Sequence, residues 1–188
     1  MSLPRRVVLV VGATGQTGVQ VARCLAQESL HCSRGSITFQ EPDCVLFLVR
    51  SFEKGETKLQ GLLNGSSGAG QPGQSQCFLL HCADVSDPAC LREAFDQAAK
   101  IAGGHPVSHV VNTLGTTDRN DSPERSILTA TQNLMKESIR VGVKRFVHCG
   151  VAYVTRPEAM VAKVLNCMAK NIIGYHAMAE DVIRSAAQ

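Results

Sequence analysis

Three glycines near the amino end have the spacing of a phosphate-binding turn. Gly12, Gly15 and Gly18 follow a short apolar run and precede a segment in which apolar residues recur with helical spacing. Gly12 would allow a tight turn, Gly15 would let a pyrophosphate approach the backbone, and Gly18 would let the helix pack closely on the strand. The free amides of that helix and the positive end of its dipole would then face the phosphates. Three residues of the loop could add side-chain donors: Thr14, Gln16 and Thr17. We expect a dinucleotide here; the alternative is a tight strand–helix turn that binds no ligand.

The end of the second apolar run indicates which dinucleotide would bind. A carboxylate at that position would bond the ribose 2′-hydroxyl of NAD and repel a 2′-phosphate. Here the run ends in Arg50 and Ser51, with Lys54 close behind and Glu53 as the first acidic residue. Because a guanidinium is a natural partner of a phosphate, we expect NADP(H), with Arg50 as the selector and Ser51 and Lys54 as helpers. The alternative is an arginine that is merely solvated at a strand end.

Strand and helix patterns alternate along the chain, as is typical of a parallel sheet covered by helices. The expected strands cover residues 5–11, 44–50, 77–82, 109–115 and 143–149. The expected helices follow Gly18 and cover about 53–63, 88–102, 122–141, 157–171 and 175–187, the last two separated by Gly174. Asp87 and Pro88 carry the signal of a helix start. Right-handed crossovers would give an α/β, Rossmann-type doubly wound sheet.

The domain organisation is expected to be simple. A chain of 188 residues is long enough for one domain with its own core, so we expect one NAD(P)-binding domain over residues 1–188. A Gly/Ser-rich stretch at about 64–76 has nothing to pack and is read as a flexible insertion. The connection at 29–43 is longer than most in such a unit.

Composition indicates where the protein is located and which classes of partner are not expected. The formal charge is only +3 and is not clustered, so nucleic acid is not implied. No apolar run is long enough to span a bilayer, and the start lacks the features of a signal peptide; a cytoplasmic protein without a membrane partner is expected. The eight cysteines include no Cys-x-x-Cys pair and several lie in apolar runs, which favours buried thiols over disulfides. The group Cys77, His81 and Cys82 lacks a second ligand pair, so no metal is predicted.

Several segments together resemble a known family. They are the glycine loop at 8–18, the Leu-Val-Arg-Ser of 48–51, and the segments 83–87, 110–115, 143–148 and 175–184. The chain resembles the short-chain dehydrogenase/reductase superfamily in its atypical, NmrA-like branch. The resemblance implies NADP(H) across the carboxyl ends of the strands. It further implies that Asp84 contacts the adenine amino group with Val85 beside it. It places Asn112, Thr113, Leu114 and Gly115 along the cofactor, and 149–151 at the nicotinamide. The alternatives are a plain turn residue for Asp84 and a strand-linking hydrogen bond for Asn112.

The chain departs from the family's catalytic pattern. Such reductases use a Tyr as the acid and a Lys four residues later, usually with a Ser near the end of the fifth strand. Here Tyr175 is followed at the Lys position by Ala179, and the Ser position falls on Gly150 or Val151. This register leaves no intact catalytic set.

A second register, aligned on Glu180, does no better: His176 takes the Lys position and Ile172 the Tyr position. The usual Ser-Tyr-Lys catalysis is therefore not carried over to this chain. Such proteins also normally continue into a further strand and a substrate-binding region. A truncated substrate region is expected, either because the chain is a fragment or because it has lost most of its lid.

Three groups remain as candidate proton donors: His148, Tyr175 and His176. His148 closes a strand that points to the cofactor crevice, although strand alternation could equally turn it towards a packed helix. Tyr175 lies on an amphipathic helix, where packing is the commoner role. Met160, Met168 and Met178 follow helical spacing as core or interface residues, and exposed apolar positions would favour a homo-oligomer. We expect an NADPH-dependent oxidoreductase acting on a small carbonyl, quinone or flavin-like acceptor; the alternative is a non-catalytic NADP(H)-binding sensor or regulatory protein.

Overall fold

The structure is a computed structural model that describes residues 6–27, 44–63, 76–115, 121–152, 154–156 and 158–186. The long connection predicted at 29–43 lies outside the described residues. So does the predicted Gly/Ser-rich insertion, apart from residue 76, which begins a strand.

A five-stranded parallel sheet forms the centre of the fold, in the order β3-β2-β1-β4-β5. The strands are β1 (Val7–Val11), β2 (Cys44–Val49), β3 (Gln76–His81), β4 (His109–Asn112) and β5 (Arg145–His148). Every residue of β1 and β2 is buried, because helices cover both faces of the sheet. The prediction of an α/β Rossmann-type sheet is confirmed.

Six α-helices accompany the sheet among the described residues: α1 (Gln16–Gln27), α2 (Phe52–Leu59), α3 (Pro88–Ile101), α4 (Ala130–Val141), α5 (Met160–Met168) and α6 (Ile172–Ala186). A π-helical segment, Glu124–Thr129, leads directly into α4. The predicted start of α3 is confirmed, since the Asp87 carboxylate accepts a hydrogen bond from the Ala89 amide at 2.9 Å and Pro88 is the first helical residue. Within the described residues, no helix is long and apolar enough to cross a membrane.

The buried apolar residues form one cluster on each face of the sheet. The first cluster includes Leu9 and Leu46 and packs against α3 and α4 through residues such as Phe95 and Leu134. The second cluster lies on the opposite face and packs against α1 and α2. Because helices cover both faces, a ligand can approach only at the ends of the strands, and in this architecture it binds at their carboxyl ends.

The break between the last two helices differs from the prediction. Gly174 lies inside α6, and the chain turns instead at Lys170 and Asn171, which both have positive φ angles of 50° and 62°. The reason is a cap supplied by Asn166: its Oδ1 accepts a hydrogen bond from the Ile173 amide at 2.9 Å. A side chain from the preceding helix therefore starts α6, without the glycine that the sequence suggested.

The predicted ends of β4 and α2 and the predicted burial of three methionines also differ from the structure. β4 ends at Asn112, three residues before the predicted 115, and α2 ends at Leu59 instead of continuing to 63. The methionines read as core or interface are not core residues, because Met160, Met168 and Met178 are exposed.

Candidate functional site

The glycine loop forms a tight turn between β1 and α1. Gly12 has a φ of +78°, a conformation that residues with a Cβ rarely adopt. The Gly15 amide donates to the Gly12 carbonyl at 2.9 Å, which closes the turn. A Cβ on Gly18 would lie 2.1 Å from the Gly12 carbonyl oxygen, so no side chain fits there. The close approach brings the first turn of α1, with its unpaired amides, against the end of β1.

A cavity of about 550 Å³ opens at the carboxyl ends of the strands. It is lined by residues that directly follow four of the strands: Gly12 after β1, Arg50 after β2, Cys82 after β3 and Thr113 after β4. From β1, the sheet extends through β2 to β3 on one side and through β4 to β5 on the other. The cavity therefore lies at the point where the strand order reverses. Open α/β sheets bind ligands at this place, and the volume is typical of a small-molecule site.

Most of the residues predicted to bind a cofactor line this cavity: Gly12, Thr14, Gly15, Arg50, Ser51, Lys54, Asp84, Val85, Leu114 and Gly115. Four predicted residues are placed elsewhere. Gln16 and Thr17 lie on an adjoining shallow surface that they share with Gly15, and Gly18 lies under the turn. Asn112 is fully buried below the cavity floor.

One side of the cavity carries three basic residues. Arg50 follows β2, whereas Lys54 and Lys58 lie one turn apart on α2. Lys58 was not predicted; its ammonium donates to the Thr14 carbonyl at 2.8 Å and so joins α2 to the glycine loop. Its spacing of four residues from Lys54 was the signal that could have found it. Ser51 accepts a hydrogen bond from the Lys54 amide at 3.4 Å and acts as the N-cap of α2.

An acidic residue lies beside the predicted selector. The Arg50 guanidinium is 4.0 Å from a carboxylate oxygen of Asp121, and the Arg50 side chain is 74% exposed. Asp121 lies far from Arg50 in the sequence, so the reading of residues 48–54 could not have found it. A phosphate at Arg50 would therefore have to share the guanidinium with a carboxylate.

Asp84 is held by polar partners within the cavity wall. Its Oδ1 accepts hydrogen bonds from the Ser86 amide at 2.8 Å and the Ser86 hydroxyl at 2.6 Å, and its Oδ2 pairs with the Arg125 guanidinium. Burial on its own would raise the pKa of Asp84, but the bonds from Ser86 and the positive charge of Arg125 outweigh it and lower that pKa. Asp84 is thus a carboxylate that orders the loop after β3. Arg125 was not anticipated, because its position on the π-helical segment carries no sequence signal.

Beneath the cavity, Asn112 joins β4 to three neighbours. Its Oδ1 accepts from the Leu114 amide at 3.0 Å, and its Nδ2 lies 3.1 Å from both the Thr131 hydroxyl and the Nδ1 of His148. The alternative reading of Asn112, a strand-linking hydrogen bond, describes these contacts. The Leu114 bond also shapes the backbone that lines the cavity.

None of the three predicted proton donors is among the described residues that line the cavity. His148 points into the interior, where its ring lies 5.6 Å from the ring of His176. The Nε2 of His148 and both ring nitrogens of His176 are buried and have no partner among the described residues. Burial lowers the pKa of His148, against an opposing effect of Glu180. Burial, aided by His148, lowers the pKa of His176 to about 4. Tyr175 is half-buried on α6.

No protein-family model matches the sequence, and neither does any curated protein. Solved structures do match. A triphenylmethane reductase from Citrobacter sp., complexed with NADP(H), is 20% identical with a TM-score of 0.56; the match covers 96% of this chain and 46% of that one. Yeast methylglyoxal/isovaleraldehyde reductase Gre2, complexed with NADPH, is 16% identical with a TM-score of 0.60, covering 95% and 52%. A uronate dehydrogenase variant from Agrobacterium tumefaciens, complexed with NAD, is 14% identical with a TM-score of 0.53, covering 96% and 56%.

The chain has the Rossmann-type α/β fold of these reductases and dehydrogenases. The structures that share this fold include NAD(P)-dependent reductases and dehydrogenases. At these identities the likeness concerns the fold, and the open edge that holds the cavity is part of it. The chain spans less than two thirds of the length of the solved structures that it matches, from 46% to 64% in four of them.

Proposed function

We propose that the cavity binds NADP(H) and that the protein is an NADPH-dependent oxidoreductase. The observation that carries the proposal is the pairing of the glycine turn with the three basic residues across one cavity. The turn leaves α1 amides available for a pyrophosphate. The absence of a Cβ at Gly18 allows α1 to approach the end of β1 closely. Arg50, Lys54 and Lys58 supply positive charge beside it.

The residues fit the dinucleotide by charge as well as by shape. Gly12, Gly15 and the start of α1 would hold the pyrophosphate, and Arg50 with Lys54 would hold the 2′-phosphate of the adenosine ribose. Of the two carboxylates in the cavity wall, Asp84 is already paired with Arg125 and would offer little repulsion to an anion. When bound, NADPH supplies a hydride, and the chemistry belongs to the cofactor.

The acceptor that we propose is a small carbonyl, quinone or flavin-like compound. Reduction of a quinone or a flavin does not require a Tyr-Lys acid pair in the protein, because the product can be protonated from solvent. This suits a cavity that neither Tyr175 nor His148 lines. The family-derived roles of Val85, Leu114 and Gly115 along the cofactor belong to the same proposal, as does assignment to the NmrA-like branch.

A second candidate function is a non-catalytic NADP(H) sensor or regulatory protein. The burial of His148 away from the cavity favours it, because the histidine that ends β5 is then not available to a substrate. Both functions require the same cofactor site and differ only in turnover.

The first test is nucleotide binding, and a second test, NADPH turnover, distinguishes the two functions. The affinities of the purified chain for NADPH and NADH are measured by titration calorimetry, and NADPH oxidation is then followed with a panel of quinones, flavins and aldehydes. Preferred binding of NADPH with saturable turnover supports the oxidoreductase. Preferred binding of NADPH without turnover supports the sensor. Absence of binding of both nucleotides, in a chain shown to be folded by circular dichroism, contradicts the proposal.

A further inference from the structure

Two cysteines meet in the wall of the cavity. The Sγ atoms of Cys82 and Cys90 lie 3.4 Å apart, where a disulfide would bring them to about 2.05 Å. Cys82 directly follows β3, and Cys90 lies in the first turn of α3. The contact therefore joins the loop that carries Asp84 to the helix behind it.

The two cysteines differ in exposure. Cys82 is 1% exposed, and burial, with the hydrogen bond to Cys90, raises the pKa of its thiol to about 12. Cys90 is half-buried, so a small oxidant reaches its sulfur before that of Cys82. Exposure therefore favours oxidation at Cys90, and the 3.4 Å contact places Cys82 where it can resolve the oxidised sulfur.

We infer that Cys82 and Cys90 form a reversible disulfide when the chain meets a peroxide. The Cys90 sulfur attacks one peroxide oxygen, the O–O bond breaks, and water leaves, giving a sulfenic acid at Cys90. The Cys82 sulfur then attacks the Cys90 sulfur and the S–O bond breaks. The Cys82 proton leaves with the hydroxide as a second water. Two thiols lose two electrons and two protons in total, and one hydrogen peroxide becomes two waters.

The backbone on both sides restricts how the gap closes. The Cys82 amide donates to the Val49 carbonyl at 3.0 Å, and Cys90 lies in a turn in which the Leu91 amide donates to the Asp87 carbonyl at 3.0 Å. Side-chain rotation must provide most of the approach, with a small shift of the loop that follows β3. That loop carries Asp84 and Val85 into the cavity, so the disulfide ties the cavity wall to α3.

Oxidation is therefore expected to weaken dinucleotide binding several-fold, a consequence that rests on the proposed function. By linkage, bound NADPH would disfavour the disulfide at equilibrium by the same factor. The disulfide itself does not depend on what the cavity binds.

The disulfide is tested on the full chain by peptide mapping. The protein is treated with hydrogen peroxide, denatured in N-ethylmaleimide to label all remaining thiols, and digested without reductant. We expect a crosslinked peptide that joins Cys82 to Cys90 and disappears after dithiothreitol. The exposed Cys24 and Cys167 serve as internal controls, because a collision-driven oxidation would affect them first.

A variant and a binding measurement complete the test. In Cys90→Ser, Cys82 should remain a labelled thiol at the same peroxide dose, and NADPH affinity should not respond to peroxide. Recovery of labelled Cys82 together with over-oxidised Cys90 from the wild-type protein would overturn the inference. A disulfide that forms without changing NADPH affinity would overturn its effect on binding. Failure of the reduced chain to bind NADPH would count against the proposed function and leave the mapping result intact.

Discussion

Asn112 donates from Nδ2 to the Nδ1 of His148 across 3.1 Å, and this contact determines which ring nitrogen carries the proton. The orientation of the Asn112 amide follows from the Leu114 amide, which can only donate and therefore faces Oδ1. The His148 Nδ1 is then an acceptor, so the proton of the neutral ring resides on Nε2. That nitrogen is buried towards His176, which directs the only N–H of the ring away from the cavity.

The tautomer of His148 should change when Asn112 loses its amide N–H. In the wild-type protein, nitrogen-15 NMR of labelled histidine should report a proton on Nε2. In Asn112→Asp the carboxylate can only accept, so the ring proton should move to Nδ1. Because Asn112 is fully buried, replacing its neutral amide by a carboxylate should also destabilise the chain by roughly 1–3 kcal/mol in denaturant unfolding.

Asn133→Asp is the matched control for that change. Asn133 is also buried, and its Nδ2 donates to the Ser86 carbonyl at 2.8 Å without contacting His148. It should lose stability but leave the His148 spectrum unchanged. A wild-type ring protonated on Nδ1 would show that the orientation assigned to Asn112 is wrong.

Stability should fall in acid because of His176. The folded pKa of His176 is about 4, below the ordinary value of about 6.5. Since the unfolded chain binds the proton first, this contribution is fully present above pH 6.5 and is lost as the pH falls towards the folded pKa. Between pH 7 and pH 5 the free energy of unfolding should drop by about 2 kcal/mol through this residue alone.

Urea unfolding of a His176→Leu variant isolates that contribution. The variant should lose the part of the pH dependence between pH 7 and pH 5, while His81→Gln, at an exposed position, should keep it. An unchanged pH dependence in His176→Leu would mean that His176 titrates as it does in the unfolded chain.

The glycine turn should be intolerant of a single methyl group at one position. A Cβ at Gly18 would lie 2.1 Å from the Gly12 carbonyl oxygen, whereas nothing lies within 4 Å of a Cβ at Gly61. Because backbone atoms cannot move aside cheaply, Gly18→Ala should cost more than about 2 kcal/mol of unfolding free energy. Gly61→Ala should change it by less than about 0.5 kcal/mol. Equal midpoints in denaturant for the two variants would contradict the close approach of α1 and β1.

The parts of the site that depend on local sequence patterns were predictable. The glycine spacing, the apolar run of β1 and the Asp87–Pro88 start each act within a few residues, so they can be read without knowing the fold. Lys58 was missed although its spacing from Lys54 is such a local signal, whereas Asp121 could not be found in this way. Asp121 reaches Arg50 only because the chain returns to the same edge of the sheet after β4.

The interior polar contacts were equally hidden from the sequence. His148 ends β5, the edge strand beside β4 in the described sheet, and alternation left both directions open until the packing of α6 placed His176 beside it. The break at Asn171 likewise depends on a tertiary cap from Asn166, which overrides the local preference for Gly174. These are cases where a contact between elements decides what propensity leaves undecided.

The Arg50–Asp121 pair should set the preference between NADPH and NADH. If Arg50 binds the 2′-phosphate, Arg50→Ala should weaken NADPH binding by about 1.5–3 kcal/mol, the range of a hydrogen bond to a charged group, and leave NADH binding nearly unchanged.

Asp121→Asn should act in the opposite direction. It removes a carboxylate that lies 4.0 Å from the guanidinium and competes with the phosphate for it. The expected gain in NADPH affinity is smaller, about 0.5–1 kcal/mol, since both groups are partly solvated. Isothermal titration of both nucleotides against both variants measures these four effects. Equal losses of NADPH and NADH in Arg50→Ala would assign Arg50 to the shared part of the nucleotide and remove the argument for NADP(H).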